Sequence, residues 1–318
     1  MISKDLDLAA KFLEEEEIIG FPTETVYGLA GNIYSEKAIR KIFSVKERPF
    51  YNPLIVHIKN GSELEKIATE IPEIAKTLAE KFWPGPLTLL VKKKSSVPDL
   101  ITAGKPTVAV RVPNHAIALQ LLEKLDFPLA APSANPFGRI SPTNAKHVDD
   151  YFGNSIKMVL EGGICETGIE STIIGFEGEK VIIYRLGGIS LEEIENICGA
   201  VKLLNKDDKQ PEAPGMLSKH YAPRTSLIFT ENLEKELLRF QDQKIGVLSF
   251  NNTLEQLPEN FVQIILSAEG NLKVAAAKLY ETLHQMDQMN LEHIIAEKFP
   301  EVGLGRVIND KLRRASQP

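Results

Sequence analysis

Apolar positions along this 318-residue chain follow two rhythms. Short apolar runs at residues 18–21, 54–58, 87–91, 108–112, 129–131, 158–160, 172–175 and 181–184 predict buried strands. Between them, Leu6, Ala9, Ala10 and Leu13 repeat at helical spacing, as do Ala38, Ile39, Ile42 and Phe43. Ser3 and Ser35 are the expected caps of these two helices. Ser62 with Glu65, and Ser190 with Glu193, have the spacing of capping boxes. Further helices are expected at about 116–125 and 144–152, and Trp83-Pro84-Gly85-Pro86 reads as a stiff turn into the strand at 87–91. Residues 205–224 change to Lys, Asp, Gln, Pro and Gly, the composition of a linker or an ordered crossing loop. Beyond them, strand-like runs at 227–229, 245–250, 262–266 and 294–295 alternate with helical ones. The longest helical run, at about 271–286, carries Leu272, Ala275, Leu279, Leu283 and Met286 on one face. This alternation predicts a smaller α/β domain. The expected organisation is a first domain over 1–204, a linker over 205–225 and a second domain over 226–318.

The charge balance, 37 basic against 43 acidic residues for a net charge of −6, argues against a protein that coats nucleic acid through its overall field. It leaves room for a local basic pocket. No apolar run is long enough to span a bilayer, and the acidic start MISKDLDLAAKFLEEEE lacks the apolar core of a signal peptide. Cys165 and Cys198, the two cysteines, have no CxxC spacing, so neither a disulfide framework nor a structural zinc site is supported. A cytosolic location without membrane attachment is the expectation.

The chemistry concentrates in loops. FPTETVYGLAGN sets Thr23, Glu24, Thr25 and Tyr27 before Gly28 and Gly31, a pattern that serves a small polar ligand or a polar turn capping a strand about equally well. In KERPFYNPLIVH, Lys46 and Arg48 lie on a proline-stiffened loop with Asn52 and His57 close by. Arg48 suits a phosphate through its planar fork and Lys46 as a point charge. Surface lysines and arginines are more often solvated, and the rigid proline context moves the reading toward a polyanion site. A histidine such as His57 is more often a satisfied structural residue. Arg111 interrupts the apolar strand VAVRV, where it needs an anion, either an internal carboxylate or that of a substrate. AAPSANPFGRISPT offers Ser133, Asn135, Ser141 and Thr143 on a loop limited by three prolines. GIESTIIG places Ser171 and Thr172 at a strand entrance, and Arg185 ends the strand VIIYR. Within the linker, PGMLSKHYAPR gathers Lys219, His220, Tyr221 and Arg224. Several other chemistries lack their spacing. There is no GxxxxGK[ST] loop, Gly303-Leu304-Gly305 lacks the third glycine of a dinucleotide fingerprint, and neither HExxH nor GxSxG occurs.

Taken in order, FPTETVYGL, KxRPxxNPLxVH, WPGPLT, TVAVRVP, APSANxxGxxSPT, GxESTII and PGMxxxHYAP resemble the YrdC-like L-threonylcarbamoyladenylate synthases in their long two-domain form. The resemblance is strong over the first 225 residues and extends weakly to GLGRVINDKLRRA. It implies an α/β fold: a YrdC-like twisted mixed sheet with flanking helices and a deep basic pocket, then a smaller Rossmann-like domain. The implied reaction joins L-threonine, bicarbonate or CO2, and ATP into threonylcarbamoyl-AMP and pyrophosphate. The product would pass to downstream proteins that modify an adenosine beside the tRNA anticodon. On the matching positions, Thr25, His57, Arg111, Ala131 and Ser171 would hold threonine. Lys46, Arg48, Asn52, Thr107, Ser133, Ser141, Arg185 and Tyr221 would hold ATP, with Lys46 and Arg48 also neutralising the reacting phosphate. Mg2+ would be carried by the phosphates rather than by a protein cage. Leu217-Ser218-Lys219 departs from the family's aromatic or basic run ending in arginine. Two other readings stay open: an RNA-binding or ribosome-assembly module, since the fold is linked with structured RNA, and a carbamoyl-adenylating enzyme using carbamoyl phosphate.

Overall fold

The computed structural model describes residues 1–204, 212–216 and 220–317. Lys219 and its neighbours Leu217 and Ser218, with residues 205–211 of the expected linker, lie outside the described residues. The chain forms two compact units, Met1–Phe137 with Ser141–Leu217, and Gly138–Ile140 with Ser218–Pro318.

In the first unit the described strands are β1 (Ile2–Ser3), β2 (Ile19–Phe21), β3 (Gly28–Asn32), β4 (Ile55–His57), β5 (Leu87–Lys92), β6 (Thr107–Arg111), β7 (Leu129–Ala130), β8 (Val159–Leu160), β9 (Thr172–Glu177), β10 (Lys180–Arg185) and β11 (Lys202–Leu203). They form one mixed sheet in the order β1-β8-β2-β3-β7-β4-β6-β5-β9-β10-β11. Its helices are α1 (Leu6–Glu14), α2 (Glu36–Lys46), α3 (Leu64–Ile67), α4 (Glu73–Phe82), α5 (Asp99–Thr102), α6 (Ala116–Lys124), α7 (Ala145–Phe152) and α8 (Leu191–Cys198).

Strand alternation decides what each sheet face carries. Val56, Leu89, Val108, Val110, Ile174 and Ile183 point into the main core, where Ile39, Ile42 and Phe43 of α2 and Leu78 of α4 pack. A second core joins α1 and α6 to β2 and β7 through Leu13, Phe21, Leu121 and Leu129. Successive residues of the central strands must face the other way. There a small apolar floor of Ile55, Leu90, Ala109 and Ile173 is covered by Ala213 and Met216. Register places the polar residues beside this floor: His57 pairs with Arg111, Ile55 and Leu90 both pair with Ala109, and Thr88 pairs with Ile173.

The second unit has a four-stranded parallel sheet ordered β12 (Ser226–Thr230), β15 (His293–Glu297), β13 (Ile245–Ser249), β14 (Phe261–Ile265). Its helices are α9 (Leu233–Leu237), α10 (Leu272–Asp287) and α11 (Gly303–Ala315). Among the described residues, no helix is long and apolar enough to cross a membrane.

Three local expectations are corrected. The first helix is capped by Asp5, whose side chain accepts from Leu8 N, while Ser3 belongs to β1. Ser62 caps nothing: Gly61–Glu63 closes as a 3-10 turn, placing Ser62 inside the turn with its hydroxyl on Asn60 Oδ1 at 2.7 Å. The glycine-rich 28–32 segment is a strand rather than a loop, because Gly28 and Gly31 let it lie flat against Ala131 and Ile18. Ser35 and the Ser190–Glu193 capping box act as expected.

Candidate active site

Two residues of the basic motif owe their positions to the end of α2. Glu47 adopts a left-handed conformation, φ 53°, which turns the chain sharply between Lys46 and Arg48. Arg48 N donates to Phe43 O at 2.9 Å and Glu47 N to Ser44 O at 3.1 Å, the pattern of a Schellman cap. That cap usually uses glycine, and an ordinary residue there costs about 1 kcal/mol. Lys46 thus points inward and donates to the carbonyls of Ser133, at 2.6 Å, and Asn135. Arg48 spans Asn52 Oδ1 at 2.6 Å, Pro53 O at 2.7 Å and Asn52 O at 3.2 Å. Arg185, beyond a bulge at the end of β10, grips Ser171 O at 2.9 and 3.1 Å and Ser171 Oγ at 3.0 Å, and reaches Pro214 O at 3.4 Å.

All three cations are buried, and their hydrogen bonds described here go to neutral oxygens. Burial, with the charge of Arg48 added, pushes the Lys46 ammonium well below its usual range. Burial and then the charge of Arg185 push Arg48 down to about 9. A guanidinium stays charged at neutral pH, so this displacement measures electrostatic cost. Neither Lys46 nor Arg48 has a carboxylate at ion-pair distance among the described residues. A cluster of buried cations facing neutral carbonyls is stabilised by an incoming anion, at about 4 kcal/mol of Coulomb energy per close contact before desolvation.

The neighbouring group is different in character. Arg111 lies on the face of β6 beside the apolar floor, donating through Nε to Gly85 O at 3.1 Å and through Nη1 to Thr25 Oγ1 at 2.7 Å. Its Nη2 is 2.7 Å from Glu24 Oε2, with both side chains about 95% buried. The open question of Arg111's partner therefore has an internal answer, Glu24. His57, its register partner, stays neutral: burial first and the Arg111 charge second push it down to about 3. Ser171 Oγ shares a 2.7 Å hydrogen bond with Thr88 Oγ1. Ser141 Oγ donates to the buried Glu170 at 2.6 Å.

The remaining candidates fit this frame unequally. Ala131 is anchored by its N–H to Ile55 O at 3.0 Å, beside the floor. Asn52 is fully buried, and its Nδ2 has no acceptor among the described residues. Ser133 contributes its carbonyl to Lys46. Thr107 shares the β6 face with Arg111 but stands four residues away, about 13 Å along the strand. Tyr221 belongs to the second unit, where its hydroxyl accepts from Lys311 Nζ at 3.0 Å and its ring stacks on Tyr280 at 5.6 Å. Sequence reasoning missed Glu170 and gave Glu24 no role. The available signal was an acid directly before two of the five expected threonine-site residues, Glu24 before Thr25 and Glu170 before Ser171.

A separate cavity of about 430 Å3, floored by Leu64, Ile71, Trp83 and Val112, contains none of the candidate residues. Among the described residues no group of three or more His, Cys, Asp or Glu side chains is arranged to hold a metal.

Residues 11–187 match the Sua5/YciO/YrdC family model, described as "Telomere recombination". Residues 189–317 match the model described as the C-terminal domain of threonylcarbamoyl-AMP synthase. The chain is 39% identical to a threonylcarbamoyl-AMP synthase of Pyrococcus abyssi, over 97% of this chain and 93% of that protein. With a Bacillus subtilis protein of the same name it shares 38% identity over 97% and 92%. The crystal structure of P. abyssi Sua5 complexed with L-threonine superimposes with a TM-score of 0.89 at 39% identity, covering 98% of this chain and 94% of that one.

Proposed function

The chain belongs to the Sua5/YciO/YrdC family and is a threonylcarbamoyl-AMP synthase, and we propose that its two clusters divide the substrates between them. The Arg111 cluster takes L-threonine. Arg111 meets the carboxylate, Thr25 and Ser171 offer hydroxyls, Ala131 offers its backbone, and neutral His57 meets the substrate's hydroxyl. The Lys46, Arg48 and Arg185 cluster takes the triphosphate of ATP, with Asn52, Thr107, Ser133 and Ser141 along the nucleotide. The observation that carries this division is that, among the described residues, the buried Lys46 and Arg48 are held by neutral oxygens with no carboxylate at ion-pair distance, in an acidic protein.

In this reading threonine takes up CO2, supplied as bicarbonate, on its amine. A carbamate oxygen then attacks the α-phosphorus as pyrophosphate leaves. Such a displacement needs alignment and charge neutralisation more than a protein nucleophile. Lys46 and Arg48 stabilise charge building on the phosphate oxygens, and Arg185 ties that group to Ser171 on the threonine side. Mg2+ would be held by the nucleotide's phosphates rather than by protein side chains, and would supply further neutralisation of phosphate charge. The product then passes, in the cytoplasm, to proteins that transfer the threonylcarbamoyl group to tRNA. Weak direct binding of RNA is a secondary expectation of this reading. The test is pyrophosphate release by the full chain: release is expected only when threonine, bicarbonate and ATP are present together. Release from ATP alone, unaffected by the other two, would sink the proposal.

A further inference from the structure

Carbamate formation requires a free amine, yet threonine arrives as a zwitterion with a protonated one. Nothing assigned so far removes that proton. Glu24 stands 2.7 Å from Arg111 Nη2, yet neither of its carboxylate oxygens nor Nη2 makes an aligned hydrogen bond. It is 4% exposed. An internal ion pair built only for stability would complete its hydrogen bonds, because buried charges left short of partners are costly. The backbone leaves little room for drift. Glu24 O accepts from Thr167 N at 2.7 Å, Thr23 Oγ1 and Thr25 Oγ1 are 2.8 Å apart, and Thr25 Oγ1 accepts from Arg111. A cation beside an incompletely bonded anion matches a zwitterion group for group: the amino acid's carboxylate meets Arg111 and its ammonium meets Glu24.

We infer that Glu24 binds the α-ammonium of threonine and is the base that deprotonates it. The inference rests on the threonine reading of the Arg111 cluster. An N–H bond of the ammonium breaks and its proton passes to a Glu24 oxygen. The freed nitrogen lone pair forms a C–N bond to CO2, and one C=O pair becomes an oxygen lone pair. The nitrogen then gives a second proton to water, leaving the carbamate anion. The titratable groups around Glu24 are Arg111 on β6, Cys165 in the loop before β9, and His57 on β4 facing Arg111. Burial pushes the Cys165 thiol up and His57 down, so both are neutral near pH 7.

The test follows threonylcarbamoyl-AMP formation by the full chain as pH rises, in wild type, Glu24→Gln and Glu24→Asp. At neutral pH Glu24→Gln is expected to lose about 100-fold or more in kcat/KM for threonine. The deficit should shrink by about tenfold per pH unit as solution supplies free amine. Glu24→Asp retains a carboxylate, so it should be slower with a profile of wild-type shape. A Glu24→Gln deficit that stays constant with pH would overturn the inference, since loss of a mere counterion to Arg111 has no reason to be rescued by free amine. A Glu24→Asp profile that differs in shape from wild type would overturn it as well, and this arm decides if the Gln variant does not fold. Product from wild type with a pH-independent Glu24→Gln deficit fails this inference alone. No product from wild type at any pH fails the reading beneath it.

Discussion

His57 offers the cleanest link between the site and stability. Its ordinary pKa is 6.5, and in the fold burial and the Arg111 charge hold it at about 3. An imidazole depressed in this way binds more protons when unfolded, so stability is complete above about 6.5 and falls as pH drops, levelling only below about 3. At about pH 5 the unfolded state has gained about 1.5 pH units of protonation free energy that the native state forgoes. At about 1.4 kcal/mol per unit, His57 alone then removes about 2 kcal/mol. His147, held by burial at about 4, adds a loss of similar size and the same sign. Replacing His57 by Gln removes only the first contribution. The assay is urea unfolding at about pH 7.5 and about pH 5, followed through Trp83, the single tryptophan, which lies in the first unit and reports on it. Wild type should lose about 2 kcal/mol more than His57→Gln between the two conditions. Equal losses in the two proteins would refute the argument that His57 is held neutral by its surroundings.

Three further outcomes follow from the geometry. Lys46→Met should abolish the stabilisation given by ATP, which in wild type is about 2.7 kcal/mol at a hundredfold excess over the dissociation constant; unfolding with and without Mg-ATP measures it. Ser171→Ala removes the hydroxyl shared by Thr88 and Arg185 Nη2, so it should cost about 1–2 kcal/mol of stability and raise the KM for threonine, both open to titration. Gly187→Ala would drive a Cβ into the backbone of Glu170, Ser171 and Thr172, and a loss of about 2 kcal/mol or more is expected in the same unfolding assay.

The elements most legible in the sequence were those with a strong period. The central strands, α2 with its Ser35 cap and the long helix of the second domain all lie where apolar spacing predicts them. Boundaries set by local hydrogen bonds were less legible. Asp5 outcompeted Ser3 because β1 claims Ser3 for pairing with Leu160. The 28–32 strand was hidden by its glycines, whose value lies in close packing against other strands rather than in any period. For the site, the cationic residues could be read because Arg111 and Arg185 interrupt or end apolar strands. What a linear sequence does not carry is which acid meets which base. Glu24 and Arg111 are 87 positions apart and become neighbours only through the strand order β3-β7-β4-β6. Gly138–Ile140 joins the second unit, where Ala222 N donates to Gly138 O at 2.8 Å, although its loop reads as part of the first. A division drawn from composition alone misses that return of the chain.

The claim on which the account turns is that one chain joins threonine, a one-carbon unit and ATP through the Arg111 and Lys46–Arg48–Arg185 clusters. Mass spectrometry of the products formed from threonine, labelled bicarbonate and ATP tests it most directly, comparing wild type with Arg111→Ala. The account expects threonylcarbamoyl-AMP carrying the label from wild type and a severe loss of it from Arg111→Ala. Unlabelled product, or equal labelled product from both proteins, would contradict it.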